Sequence, residues 1–241
     1  MLQEVGRGKV GVVTVSRQLG SSGCEIASQI ASQLGYRLVD REIIHRAAQD
    51  AGVPRIALQE MADEGRKNLV DRVLQSVNAM PPVPSTAEAW RREAAASVAR
   101  PFGGIFSPAV PPFTVTLKDY VDIVGMVMRD LARQGNVVIA GRGGQVVLRD
   151  ATDALHVQIV APPRHRAAVL ARREGIEEEE ALQRVTASDR ARRDYLRRYH
   201  RVQWLDPLLY DLVINTVKIP ASLAGQIVVD AFQQLILADH G

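Results

Sequence analysis

The sequence predicts an α/β doubly wound fold around a five-stranded parallel sheet, and three features carry that prediction. Five short apolar runs rich in Val and Ile lack the alternation of a half-exposed strand. Segments with helical spacing of apolar residues separate them. Between the first run and the first helical segment stands "SRQLGSSGCEI" (16–26), and strand, glycine-bearing turn and helix in that order make a phosphate cradle.

The runs are 10–15 (VGVVTV), 36–39 (YRLV), 136–140 (NVVIA), 155–160 (LHVQIV) and 211–215 (DLVIN). In 24–34, Ile26, Ile30 and Leu34 recur every fourth residue. In 119–134, Val121, Val124, Met128 and Leu131 mark one face, and "RQGN" ends the segment with a glycine stop signal. The last helical segment, 220–238, opens on Pro220 and carries Leu223, Ile227, Ala231 and Leu235. The stretch 51–118 interrupts the alternation. Its first half reads as helical, but "NAMPPVPSTAE" and "RPFGGIFSPAVPPF" hold most of the prolines, which helix interiors and central strands exclude. It is either an insert at the ligand edge of the sheet or, over 78–115, a disordered surface loop.

At 241 residues, 46% hydrophobic and 24% charged, the chain suits a single domain, 1–241, with room for such an insert. No apolar run approaches the ~20 residues of a membrane span. "MLQEVGRGKV" lacks the apolar core of a signal peptide, so a cytoplasmic location is expected. One cysteine, Cys24, excludes an internal disulfide and a cysteine-based zinc site. A net charge of +3 and 5% aromatic residues argue against a nucleic-acid binder. Only four of the 30 basic residues are lysines. The arginine excess suits phosphate, and equally reflects a general bias in usage.

Four elements carry candidate chemistry. The first is the turn itself: Gly20, Ser21, Ser22 and Gly23 allow successive N–H groups to converge on an anion, ahead of the positive end of a helix dipole. Against the pattern G-x-x-x-x-G-K-[ST], only Gly23 fits, because Gln18, Cys24 and Glu25 occupy the other defined positions. Lys9, roughly 20 Å away at the opposite end of the strand, is out of reach. Arg17 is the candidate replacement for the lysine; otherwise it pairs with Glu25 or Asp40 and braces the loop. The second element, "LVDREIIHRAA" (38–48), puts Asp40 at the carboxyl end of the second strand, as a ligand contact or a helix N-cap, with Arg46 six residues on. The third, "AGRGGQ" (140–145), presents Arg142 at the same sheet edge.

The fourth lies in an arginine-rich region, 175–205. Arg190, Arg193, Arg197 and Arg201 are spaced 3, 4 and 4, on one helix face. At about 100° per residue, Arg193 and Arg197 fall within about 60° of Arg190, and Arg192 points about 160° away. The acidic "EGIEEEEALQ" before them offers the alternative of surface ion pairs.

In this order the elements resemble the cytidylate kinase-like branch of the P-loop nucleoside monophosphate kinases. "LVDREIIHR" is similar to the family's "LDSGAIYR"-type stretch at Asp40 and Arg46. "AGRGGQ" is similar to "DGRDMG" at Gly141 and Arg142, and "SDRARR" to the lid core D-R-x-R at Asp189, Arg190 and Arg192. The opening "SRQLGSSGCEIA" also looks like this branch, where the lysine is typically absent. Two family acids are replaced, by Ala140 and Gly143. The resemblance implies ATP-dependent phosphoryl transfer, with Mg²⁺, to a nucleoside monophosphate such as CMP or dCMP. It implies ATP phosphates on 20–23, Arg46 and Arg142 on the acceptor phosphate, Asp40 orienting the acceptor and the lid arginines closing over the transferring group. Gln145, with donor and acceptor atoms, is the candidate base reader in place of the missing aspartate. For the lid the helical face selects Arg190 and Arg193, whereas the resemblance selects Arg190 and Arg192. The rival reading is a nucleotide-binding protein of this fold without turnover.

Overall fold

In the computed structural model, described over residues 11–40 and 117–238, the five apolar runs are strands. They are β1 (Val12–Arg17), β2 (Arg37–Val39), β3 (Val137–Ala140), β4 (Ala154–Val160) and β5 (Leu212–Asn215). The helices are α1 (Gly23–Leu34), α2 (Leu117–Gln134), α3 (Gly144–Val147), α4 (Pro163–Glu174), α5 (Glu178–Tyr195) and α6 (Ala221–Ala238). A π-helical turn, Leu196–His200, continues α5, and a short 3-10 turn spans Pro207–Leu209. Every strand pair is parallel, in the order β2-β3-β1-β4-β5, so the expected doubly wound sheet is present.

The first strand runs two residues further than its apolar pattern suggests. Ser16 and Arg17 pair in register with Gln158 and Ile159 of β4, so a neighbouring strand holds them extended although their side chains are polar. Arg17 is thus the last residue of a strand and not a turn residue.

Two apolar layers sandwich the sheet. On one face, Ile26, Ala27, Ile30 and Ala31 of α1 pack with Ala224, Val228 and Phe232 of α6 over Val13, Val15, Val157 and Ile159. Full burial of each isoleucine contributes roughly 1.5–3 kcal/mol. The helix stops at Gly35, whose left-handed φ of 66° lets its N–H close back on Ala31 and Ser32. On the other face, Val121, Val124 and Met128 of α2 cover Val12, Val137 and Ile139. A third cluster, Ala167, Leu170, Ala171, Ala181 and Val185, joins α4 to α5.

β1 lies between β3 and β4, and the chain leaves β1 and β3 on opposite faces of the sheet. That divergence opens a crevice at their carboxyl ends, where sheets of this kind bind ligands. The expected insert lies outside the described residues over 51–116, as does Arg46. Among the described residues no helix is long and apolar enough to cross a membrane.

Candidate functional site

A cleft of about 380 Å³ opens at that switch point, lined by residues of three of the expected elements and by residues flanking the first, the turn 20–23, none of whose four residues is in the lining. Ser16 and Arg17 come from the end of β1, Leu19 from the loop after it, Cys24 from the start of α1, and Asp40 follows β2. Gly141, Arg142, Gly143 and Gln145 follow β3, and Arg192, Tyr195, Leu196 and Trp204 come from α5 and beyond.

The β1–α1 loop is shaped by two close approaches. Gly20 has φ +80°, and a Cβ there would run into the carbonyl oxygen of Arg166. A Cβ on Gly23 would run into Cβ of Arg17. Ser21 is 1% exposed, and its hydroxyl donates to the Gln18 carbonyl at 2.8 Å, so its side chain ties the loop and only its backbone can serve a ligand. Ser22 takes a left-handed φ of 58° at the N-cap and gives α1 no side-chain cap, leaving the first N–H groups of the helix uncapped by that side chain. Gln18 braces the loop from beneath, its Oε1 accepting from the Ala161 N–H at 2.9 Å.

Arg17 crosses from this loop to the next. Its guanidinium lies against Gly141, where φ is +89° and a Cβ would run into Nη1. Its Nε is buried without a hydrogen-bond partner, and among the described residues no ion pair to Glu25 or Asp40 is formed. Glu25 instead accepts from Gln29 on the same helix at 3.3 Å. A buried donor nitrogen with no partner, on a cationic side chain lining a cleft, is a group whose hydrogen-bonding capacity is unused within the described residues.

After β3 the backbone turns through three consecutive left-handed residues, Gly141, Arg142 and Gly143. Arg142 adopts φ 56° despite its side chain and is 7% exposed at the cleft wall. Gln145, 2% exposed, follows in α3 and donates from Nε2 to the Tyr210 hydroxyl at 3.2 Å.

The arginine-rich helix is turned differently from the sequence expectation. Arg190, Arg193, Arg197 and Arg201 are all solvent-exposed and none lines the cleft, whereas Arg192 does. The reason lies in the buried residues of the same helix. Measured from Val185, which is fully buried, Arg192 lies within about 20° of the inward direction, Arg193 about 80° away and Arg190 about 140° away. The apolar residues Ala181, Val185 and Leu196 set the orientation of the helix, and the charges follow. The regular α-helix also ends at Tyr195, so the stripe does not continue uniformly to Arg201, which caps the π-helical turn at φ 58°. Arg192 donates to Ser188 and stacks over Trp204, its Cζ 5.8 Å from the ring centroid. Trp204, 2% exposed, donates its indole N–H to Ser16 Oγ at 3.0 Å, which links this helix to the end of β1.

Asp189, expected in the lid core, faces inward. It accepts from both terminal nitrogens of Arg166, at 3.1 and 2.6 Å. Arg166 is 1% exposed and also donates to the carbonyls of Ala161 and Leu19. One buried guanidinium therefore ties α5 to α4 and to the β1–α1 loop. At the far end, burial lowers the pKa of His200, with Asp122 opposing, and its ring packs on Gly143 and beside Tyr195. Arg166, Trp204 and Tyr210 were not among the expected site residues, since nothing local marks a structural arginine or a buried aromatic distant in sequence.

Comparison with known proteins agrees with this architecture. The profile of the cytidylate kinase-like family matches residues 12–218. A cytidylate kinase of Ignicoccus hospitalis is 25% identical over 229 residues, covering 94% of this chain and 99% of the relative. A cytidylate kinase of Pyrococcus horikoshii is 36% identical over 89 residues, 37% of this chain and 45% of the relative. Among solved structures, an uncharacterised protein from Eubacterium ventriosum ATCC 27560 superposes with a TM-score of 0.62 over 92% of this chain and 98% of that one. At 16% identity it shares the fold alone. The matched span contains all four elements of the cleft, and the chain belongs to the cytidylate kinase-like family.

Proposed function

We propose that the protein is an ATP-dependent kinase that transfers a phosphoryl group to a nucleoside monophosphate, with CMP and dCMP the leading acceptors. The observation that carries this reading is Arg17, a half-buried guanidinium whose buried Nε has no hydrogen-bond partner, lining one cleft with Asp40 and Arg142. Family membership and relatives named cytidylate kinase support it.

The chemistry asks mainly for alignment and charge compensation. An oxygen of the acceptor phosphate attacks the γ-phosphorus of ATP, the bond to the β–γ bridging oxygen breaks, and ADP leaves. The backbone of 20–23 and the open first turn of α1 bind the ATP phosphates. Arg17 stands in for the lysine that Cys24 replaces, and meets charge developing on the transferred group. Arg142, with Arg46, holds the acceptor phosphate; Asp40 orients the acceptor; Arg192 approaches from the lid side in preference to Arg190 and Arg193.

Mg²⁺ carried on ATP supplies further charge neutralisation. A magnesium that keeps most of its waters and its phosphate ligands needs only one or two protein carboxylates. Among the residues lining the cleft, Asp40 is the carboxylate, and no cluster of three or more metal-ligating side chains occurs among the described residues. That donor set fits a metal brought by the nucleotide and does not fit an all-protein metal cage.

The second reading, nucleotide binding without turnover, draws on Cys24 and Glu25 at the lysine and hydroxyl positions of the phosphate loop. One assay separates the two: ADP release with ATP, Mg²⁺ and a panel of nucleoside monophosphates, run beside melting curves. The kinase reading expects release that depends on one monophosphate. It also expects Arg17→Ala to lower kcat about 100-fold with an unchanged melting temperature. A nucleotide that raises the melting temperature with no release under any acceptor establishes the second reading instead.

A further inference from the structure

A buried hydrogen-bond chain behind the cleft determines which end of Gln145 faces the ligand. A glutamine amide offers donors on Nε2 and an acceptor on Oε1, and only its neighbours distinguish the two orientations. The neighbour here is the Tyr210 hydroxyl, 3.2 Å away. That hydroxyl has one proton, and 2.6 Å from it lies the main-chain carbonyl oxygen of Trp204, which can only accept. The proton is therefore committed to Trp204. Toward Gln145 the phenol oxygen can only accept, so Nε2 must be the amide atom that faces it.

The rest of the chain fits the same direction. Ser16 Oγ accepts from the Trp204 indole at 3.0 Å and lies 3.4 Å from the Tyr210 hydroxyl, so its own proton is available to the phenol. Burial raises the pKa of Tyr210 to about 12, so the phenol keeps its proton throughout the working pH range. Turning the amide over would set Oε1 against an oxygen with no proton to give, in a place closed to water. What remains is Oε1, on a side chain that lines the cleft and is only 2% exposed.

We propose that Tyr210 is a specificity-setting positioning residue: it holds Gln145 as an obligate hydrogen-bond acceptor, so that the site selects a nucleotide presenting a donor at that point. On CMP that chemistry is carried by the exocyclic amino group of the base and by the ribose hydroxyls, and the amino group and the 2′-hydroxyl are the two that the test varies. A carbonyl oxygen in the same position meets Oε1 lone pair to lone pair and is rejected. The inference rests on reading the cleft as the acceptor site of a nucleoside monophosphate kinase.

The test measures dissociation constants and KM for CMP, UMP and dCMP with the full chain. The UMP arm replaces the amino group by a carbonyl and places a proton on the neighbouring ring nitrogen, and the dCMP arm removes the 2′-hydroxyl. In the wild-type protein one of these two should bind about tenfold more weakly than CMP. In Tyr210→Phe the amide is free to turn, so that ratio should fall toward one while KM for ATP stays unchanged. A purely structural role for the phenol would weaken all three ligands together and leave the ratio intact. Should Tyr210→Phe fail to fold, Gln145→Leu removes the acceptor directly and should abolish the same ratio. A folded variant of either kind that keeps the wild-type ratio overturns the proposal, as does a wild-type protein that turns over CMP but binds all three equally. A wild-type protein that binds no monophosphate at all removes the acceptor reading, and this inference with it.

Discussion

The two basic walls of the cleft are built in opposite ways. The sheet wall has few cations, each directed by backbone: Arg17 extends from the last position of β1, and Arg142 sits in a left-handed turn after β3. The helix wall is crowded with arginines, yet Arg190, Arg193, Arg197 and Arg201 face solvent and Arg192 is the one arginine of α5 that lines the cleft. At the end of a paired strand, register and pleat fix where a side chain goes. On a helix, direction belongs to whichever residues must be buried, and exposed charges, worth little individually, take the remaining face. Concentrated charge on a helix is thus a weaker pointer to a site than one charge at a strand end.

The largest effect that sharpens this contrast concerns the residue joining the walls. Asp189→Ala leaves the Arg166 guanidinium, 1% exposed, with both contacts to that carboxylate lost. Removing one partner of a buried pair costs about 3–5 kcal/mol, and the 14% exposure of Asp189 favours the lower figure, about 3. A urea titration should show the midpoint fall by the corresponding amount. Asp194→Ala, which removes an exposed partner of Arg197, should leave the midpoint where it was. Equal midpoints for the two variants would mean that α5 is not anchored through Arg166 and that the contrast between the walls is misplaced.

Much of this was legible in the sequence, for identifiable reasons. All five strands were visible because a doubly covered parallel sheet needs unbroken apolar runs, and Val12, Val13, Val137, Val138, Ile139 and Ile159 are fully buried. Asp40 and Arg142 were legible because they directly follow such runs. Arg192 was missed by the helical periodicity, which took the arginines themselves as its reference; Ala181, Val185 and Leu196 carried the correct one. The D-R-x-R resemblance did mark position 192. Tyr210 and Trp204 carried no local signal: their partners Ser16 and Gln145 lie 65 to 194 residues away, and only the fold brings them together.

Within the helix wall, alanine substitutions rank the arginines. Arg192→Ala should reduce kcat about tenfold or more, the loss of one charge-assisted contact to phosphate, while Arg190→Ala and Arg193→Ala should each change it less than about threefold. Arg192→Lys should recover little, because an ammonium neither stacks on Trp204 as a guanidinium does nor offers two parallel donors. Single-turnover rates under saturating ATP would read this ranking directly. If Arg190→Ala or Arg193→Ala proves the most damaging, the face now turned to solvent rotates inward during the reaction, and the apolar reference does not describe the working state.

The smallest expected effect uses one histidine beside each wall. His156, on β4 under the sheet wall, holds Thr14 at 2.7 Å through Nδ1; His200 closes the helix wall against Gly143. Burial lowers both pKa values from the ordinary 6.5, with Asp211 and Asp122 respectively opposing the shift. The unfolded chain, with the higher pKa, then holds more protons in the interval between folded and unfolded values, so stability rises with pH there. Their contribution is complete above about pH 6.5 and declines as the pH falls below it, before carboxylates near 4.5 begin to titrate. Melting temperatures measured at pH 7.5, 6.5 and 5.5 should fall slightly over the first step and mainly over the last. His156→Gln and His200→Gln should each flatten part of that fall, and the larger share identifies the wall that acid opens first. A wild-type melting temperature independent of pH across this range would show that both rings take up a proton in the folded state as readily as in the unfolded one, and neither wall would then be closed by a neutral histidine.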